Sequence, residues 1–241
     1  MKNMWKRYQK NEKIVGVDDA MQLHMRSLFN SILSVDEKYL YWKADLPNDT
    51  EAVLYVERAF AYELYLQWNL NTDLCSNPLY MNRKDYIVNA EISKMFVENI
   101  SPKSCICYPD MVLHAGNKSD KNYIVCEIKR KETAENTKDA IVNDLNKLGF
   151  FLRDDLHIKY DGVNWKGYHY GVFILTDKYY GESDVSKLKP ADIENYIYIN
   201  KLKIDSSISQ KIFCIIYDGK KLQYTNLKEI INKKTIKPDV E

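Results

Sequence analysis

The sequence predicts an α/β protein in which a mixed β-sheet is flanked by helices on both faces. Segments with strand-like alternation or short apolar runs are interspersed with longer segments whose apolar residues recur at helical spacing. Their order along the chain is helix, strand, hairpin, helix and strand, followed by a second hairpin. Such an order places helices on both sides of one sheet.

The first part of the chain is predicted to hold two helices and one strand. Residues 17–33 show apolar residues at helical spacing. After a loop at 45–50, a long helix is expected from Glu51 to about Leu70, and it is apolar on most sides. This second helix should therefore be central or packed on two neighbours. Residues 85–92 are predicted to form a strand.

A β-hairpin is predicted from residues 108–114 and 123–129, because the turn-forming residues 116–121 join them. A turn centred between Lys118 and Ser119 fixes the register of the two arms. The expected pairs are Asp110 with Glu127, Val112 with Val125, and His114 with Tyr123.

The two faces of this hairpin differ in character, because strand side chains alternate. One face is wholly apolar and consists of Met111, Leu113, Ile124, Cys126 and Ile128. The other carries Asp110, Glu127 and Lys129. Opposed like charges destabilise a sheet unless they are neutralised, and magnesium is commonly held by one or two carboxylates. Lys129, about 7 Å beyond Glu127 along the strand, could polarise a metal-bound water or balance charge on a phosphate.

The rest of the chain supplies further helices and strands. A helix is expected from Thr133 or Asn136 to about Leu152, and residues 168–176 are predicted to be a buried central strand. The remaining predictions are a loop at 160–167, a short helix at 190–198, a hairpin of 211–217 and 221–225, and a terminal helix at 227–234.

Composition bounds the class of protein. The 241 residues lack a linker-like stretch, so one domain spanning 1–241 is predicted, with a core at about 51–176 and the N-terminal helix and C-terminal hairpin plus helix as additions. With 35 basic and 34 acidic residues, the net charge of +1 gives no bulk attraction to nucleic acid or membrane. No apolar run approaches the roughly 18 residues of a membrane span, and the start lacks a secretory signal, so we expect a cytoplasmic protein without membrane contact.

Pro109-Asp110, followed after 16 residues by Glu127-Ile128-Lys129, resembles the signature of the PD-(D/E)xK phosphodiesterase superfamily, the restriction-endonuclease-like nucleases. The resemblance covers about residues 51–152 and extends more loosely to 176. It implies a restriction-endonuclease-like fold and a metal-dependent nuclease that hydrolyses phosphodiester bonds, with DNA favoured over RNA.

The resemblance also implies roles for individual residues. Asp110, Glu127 and the backbone carbonyl of Ile128 would ligate Mg²⁺ or Mn²⁺, and Lys129 would orient or activate the attacking water. Members of the superfamily often carry a further acid on a helix ahead of the sheet, for which Glu63 is the first choice and Glu57 the second. The basic cluster Lys129, Arg130 and Lys131 could contact a phosphate backbone.

Other interpretations of these residues remain open. The acidic and basic side chains could simply form a solvated strand face with a weak salt bridge. The scaffold could be a catalytically silent nucleic-acid-binding or protein-interaction module, or a homodimer or subunit that requires a partner. His114 is better interpreted as a structural histidine than as a phosphate ligand, and Asp144 with Lys147 as an ion pair.

Overall fold

A computed structural model describes most of the chain, including the hairpin and the helices around it. The described residues are 4–40, 42–46, 50–54, 57–74, 87–90, 109–115, 121–131, 134–153, 158–160, 163–176 and 189–236. Within them the strands are β1 (Lys6–Tyr8), β2 (Trp42–Leu46), β3 (Thr50–Leu54), β4 (Ile87–Ala90), β5 (Met111–His114), β6 (Asn122–Arg130), β7 (Ile158–Tyr160), β8 (Val163–Trp165), β9 (Tyr170–Thr176), β10 (Ile212–Tyr217) and β11 (Leu222–Asn226). The helices are α1 (Gln22–Ser34), α2 (Glu57–Leu74), α3 (Ala134–Phe151), α4 (Pro190–Tyr196), α5 (Ser206–Ser209) and α6 (Leu227–Ile236).

Seven of these strands form one mixed sheet in the order β1-β11-β10-β9-β6-β5-β4. Strand β9 pairs in parallel with both β6 and β10, and the other neighbours in the sheet are antiparallel. Every residue of β9 is buried, which confirms its predicted central position. The predicted α/β class with a mixed sheet is thereby confirmed.

Helices cover both faces of the sheet and create two apolar layers. On one face α1 and α2 pack with the side chains of β5 and β6 that include Met111 and Ile128. On the other face α3, α4 and α6 pack with Val112 and Val125. Because neighbouring residues of a strand point to opposite faces, the sheet separates the acidic side of the hairpin from its apolar side as predicted.

The hairpin register is confirmed at its centre and changes at one end. Val112 pairs with Val125, as expected, and the register continues through Met111 with Cys126. A β-bulge follows Leu113, so His114 pairs with Asn122, and its predicted pairing with Tyr123 was wrong. Bulges insert one extra residue in one strand, and the turn alone does not reveal them.

Two further expectations about secondary structure were wrong, and one strand at the edge of the main sheet was not predicted. Thr50–Leu54 pairs with Trp42–Leu46 as strand β3, so helix α2 begins at Glu57 and not at Glu51. Part of the predicted loop at 160–167 forms the small hairpin β7–β8. The N-terminal strand β1, which sequence reasoning did not predict, joins the edge of the main sheet beside β11. In each case pairing with a distant or neighbouring segment decides the conformation, not local propensity.

None of the helices in the described residues is both long and apolar enough to span a bilayer.

Candidate active site

Asp110 and Glu127 meet where strand β5 begins beside β6. The backbone N–H of Asp110 donates to the carbonyl of Cys126 over 3.1 Å, which extends the pairing of the two strands by one residue. The backbone N–H of Ile128 donates to Asp110 Oδ2 over 2.6 Å. These bonds fix Asp110 next to the segment that carries Glu127, as the sequence predicted.

Glu127 is the most deeply buried acidic group of the site. Its side chain is only 2% exposed, and its Oε2 lies 2.8 Å from Lys147 Nζ on helix α3. Its second oxygen, Oε1, is buried and has no hydrogen-bond partner among the described residues. A buried polar atom without a partner is costly, so this oxygen is one that a bound group would stabilise.

Two lysines and two acids form a chain of alternating charges between β6 and α3. Lys147 Nζ also lies 3.2 Å from Asp144 Oδ1, one turn earlier on the helix. Asp144 Oδ2 lies in turn 3.2 Å from Lys129 Nζ. The order along this chain is therefore Glu127, Lys147, Asp144 and Lys129. With Asp110 included, the described part of the site holds three carboxylates and two ammonium groups.

The electrostatics of the site disfavour an additional negative charge. Burial raises the pKa of Glu127 well above its usual value, and Asp110 and Asp144 raise it further, while Lys147 lowers it. Burial alone would lower the pKa of Lys147, but Glu127 and Asp144 outweigh it and raise that pKa. The ammonium is thus firmly charged, and Glu127 still favours a proton or another cation.

The residues present fit a divalent cation. Within one strand residue the N–H and C=O point toward the same neighbouring strand, so the Ile128 carbonyl is directed to the side where Asp110 lies. No group of three or more His, Cys, Asp or Glu side chains in the described residues is placed to hold an ion by itself. Magnesium does not require one, because water and substrate phosphate oxygens commonly complete its shell.

Glu63 lies on helix α2, on the opposite side of the sheet from Glu127. Phe60 and Leu64 of that helix pack in the apolar layer with Ile128. Glu63 Oε1 accepts a hydrogen bond from Gln67 Nε2 over 2.8 Å. Among the residues that the structure describes, the charges that act on Glu127 are those of Asp110, Lys147 and Asp144. A role for Glu63 stays a prediction, and the side chain of the second choice, Glu57, lies outside the described part of the structure.

The basic cluster at the end of β6 is engaged by protein groups. Lys129 pairs with Asp144, and Lys131 Nζ lies 2.9 Å from Asp192 Oδ2 on α4. Arg130 is 7% exposed, on the face of the strand opposite Lys129. Contact of these three residues with nucleic acid stays a prediction, and it would require the two ion pairs to open.

His114 is held by protein groups as well. Its Nε2 lies 2.9 Å from Asn89 Nδ2 on strand β4, and its Nδ1 lies 3.2 Å from the carbonyl of Ala115. Burial lowers the pKa of this half-buried histidine, although the bond to Ala115 opposes the shift. These contacts agree with the structural interpretation of His114.

Sequence reasoning identified the ion pair of Asp144 and Lys147 but missed that Lys147 also holds Glu127. The sequence did offer one indication of this contact. Lys147 borders the apolar stripe of α3, and this position directs its side chain toward the sheet. No protein-family model, curated protein or solved structure matches this chain.

Proposed function

We propose that this protein is a metal-dependent phosphodiesterase that hydrolyses nucleic acid, with DNA favoured over RNA. The observation that carries the proposal is the buried Oε1 of Glu127, which lies beside Asp110 and has no hydrogen-bond partner in the described part of the chain. A deeply buried carboxylate with a raised pKa next to a second carboxylate is a common feature of functional sites. The succession of α2, β4, the hairpin β5–β6, α3 and β9 also supports the resemblance to restriction-endonuclease-like nucleases.

In this proposal Asp110, Glu127 and the carbonyl of Ile128 hold Mg²⁺ or Mn²⁺. The ion would supply a water of lowered pKa and would offset the charge that develops on the phosphate. Asp110 is oriented by the N–H of Ile128, and Glu127 by Lys147. Asp110 is therefore held in place before any ion arrives, which lowers the cost of organising the site.

Lys129 is the residue proposed to act on the substrate side. The Lys129 side chain is 27% exposed and that of Lys147 is 23% exposed, so Lys129 is slightly the more accessible of the two. Lys129 can leave Asp144 for a phosphate oxygen or a water because lysine is a mobile point charge on a long stem. For Glu63 we keep the supporting role that the resemblance implies.

The test compares Asp110→Asn and Glu127→Gln with the unaltered protein on single-stranded and duplex DNA in Mg²⁺. Both changes keep the size of the side chain and remove its charge, so cleavage should fall by at least about a hundredfold. The matched control is Asp139→Asn, because Asp139 is an exposed acid on α3 that pairs with Lys201. Cleavage that persists in either site variant would refute the assignment.

A second function is favoured by the pairing of the charges themselves. Glu127 and Asp144 are already neutralised by Lys147 and Lys129, as in a purely structural network. The protein would then be a catalytically silent module that binds nucleic acid or another protein. Calorimetric titration with Mn²⁺ separates the two functions, because a silent module has no reason to bind the ion through Asp110 and Glu127.

A further inference from the structure

Lys147 occupies the position beside Glu127 that a divalent cation would have to share. Its Nζ lies 2.8 Å from Glu127 Oε2, and this oxygen belongs to the same carboxylate whose Oε1 is buried without a hydrogen-bond partner among the described residues. The Lys147 side chain is 23% exposed, so water screens its charge only in part. An ion bound at Oε1 would therefore lie within a few ångströms of a fixed positive charge.

Two cations at one carboxylate compete for it. In a partly buried site the repulsion between neighbouring charges is much stronger than in bulk water. The ammonium neutralises Glu127 when no ion is present, and the same ammonium opposes the entry of an ion. A doubly charged ion can outweigh a singly charged lysine, whereas a monovalent ion has no such advantage.

Asp144 can bind the ammonium group of Lys147 when that group leaves Glu127. Its Oδ1 already lies 3.2 Å from Lys147 Nζ, and the two residues are one helical turn apart. A small rotation of the lysine stem would move the charge fully onto Asp144 without taking it out of the network.

We infer that Lys147 is an internal counter-ion that a divalent metal ion displaces from Glu127 onto Asp144. The inference rests on the proposed metal site and adds a regulatory step to it. The site would be closed by its own lysine at low divalent-ion concentration. It would open only when an ion binds.

The experiment measures Mn²⁺ affinity by calorimetry for the full chain and for Lys147→Gln. Glutamine keeps an N–H donor for Glu127 Oε2 but removes the charge, so affinity should rise on the order of tenfold. Lys201→Gln is the matched control. Lys201 is exposed and pairs with Asp139, which lies on the same helix as Lys147. Its affinity should equal that of the unaltered protein.

A second variant keeps the inference testable if Lys147→Gln does not fold, which circular dichroism would reveal. Lys147→Arg retains the charge and can grip Glu127 with two N–H groups, so Mn²⁺ should bind more weakly than to the unaltered protein. Unchanged or weaker binding in Lys147→Gln, or tighter binding in Lys147→Arg, would overturn the displacement. Absence of Mn²⁺ binding in the unaltered protein and in both variants would instead overturn the proposed metal site.

Discussion

The contact between Glu127 and Lys147 makes a quantitative prediction about stability in the absence of metal. Lys147→Met removes the counter-charge from a carboxylate that is 2% exposed. Breaking one side of a buried ion pair costs about 3 to 5 kcal/mol. Since the Lys147 side chain is 23% exposed and screened in part, we expect a loss near the lower end, about 3 kcal/mol in the free energy of unfolding.

The reciprocal change should cost less. Glu127→Gln leaves a neutral amide in the same volume, and Lys147 keeps its second partner, Asp144. We expect a loss of about 1 kcal/mol, the size of one hydrogen bond. In the double variant Glu127→Gln/Lys147→Met no uncompensated charge is buried, so its loss should be smaller than the sum of the single losses by about 2 kcal/mol.

Urea denaturation in EDTA at pH 8 measures all four proteins of this cycle. The loss in Lys147→Met should shrink at pH 5, because burial raises the pKa of Glu127 and the folded state then takes up a proton that relieves the charge. Lys201→Met with Asp139→Asn forms an exposed control cycle, in which the coupling should be much weaker than that between Glu127 and Lys147. Additive losses for Glu127 and Lys147 would show that the two side chains do not pair and would refute the reasoning.

Two further predictions concern positions away from the site. Burial, reinforced by the charge of His169, lowers the pKa of His24 to about 4. The folded state therefore binds fewer protons than the unfolded state below pH 6.5. As the pH falls from 6.5 to 4, up to about 3 kcal/mol of the free energy of unfolding should be lost. Urea unfolding across this range should show a smaller fall for His24→Phe, and parallel curves would contradict it. Gly167→Ala would place a Cβ 2.5 Å from the Arg153 carbonyl oxygen, so denaturation should reveal a loss of about 1 to 3 kcal/mol, whereas the exposed neighbour change Lys166→Ala should be neutral.

The acidic hairpin could be predicted because its determinants are local. Residues 116–121 favour a turn, and alternation then assigns Asp110 and Glu127 to one face and Met111 and Ile128 to the other. The structure confirms this separation and the pairing of the two arms around Val112. Because strand side chains alternate, the position of the turn decides which residues share a face of the hairpin.

The strand β3 and the position of Glu63 could not be obtained in that way. Thr50–Leu54 has apolar residues that fit the start of a helix, and its pairing with Trp42–Leu46 outweighs that preference. Glu63 was chosen because it borders the apolar stripe of its helix. Which face of the sheet that helix covers is decided by packing against α1 and β6, and local periodicity does not report it.

The sequence by itself determined the α/β class, the acidic hairpin and the apolar layer behind it, since these follow from side-chain alternation and turn chemistry over a few residues. Only the tertiary structure decided that Lys147 reaches Glu127 and that Asp144 lies between Lys147 and Lys129. These contacts depend on how helix α3 lies across strand β6. That placement results from the packing of many apolar side chains at once, so no short segment of the sequence encodes it.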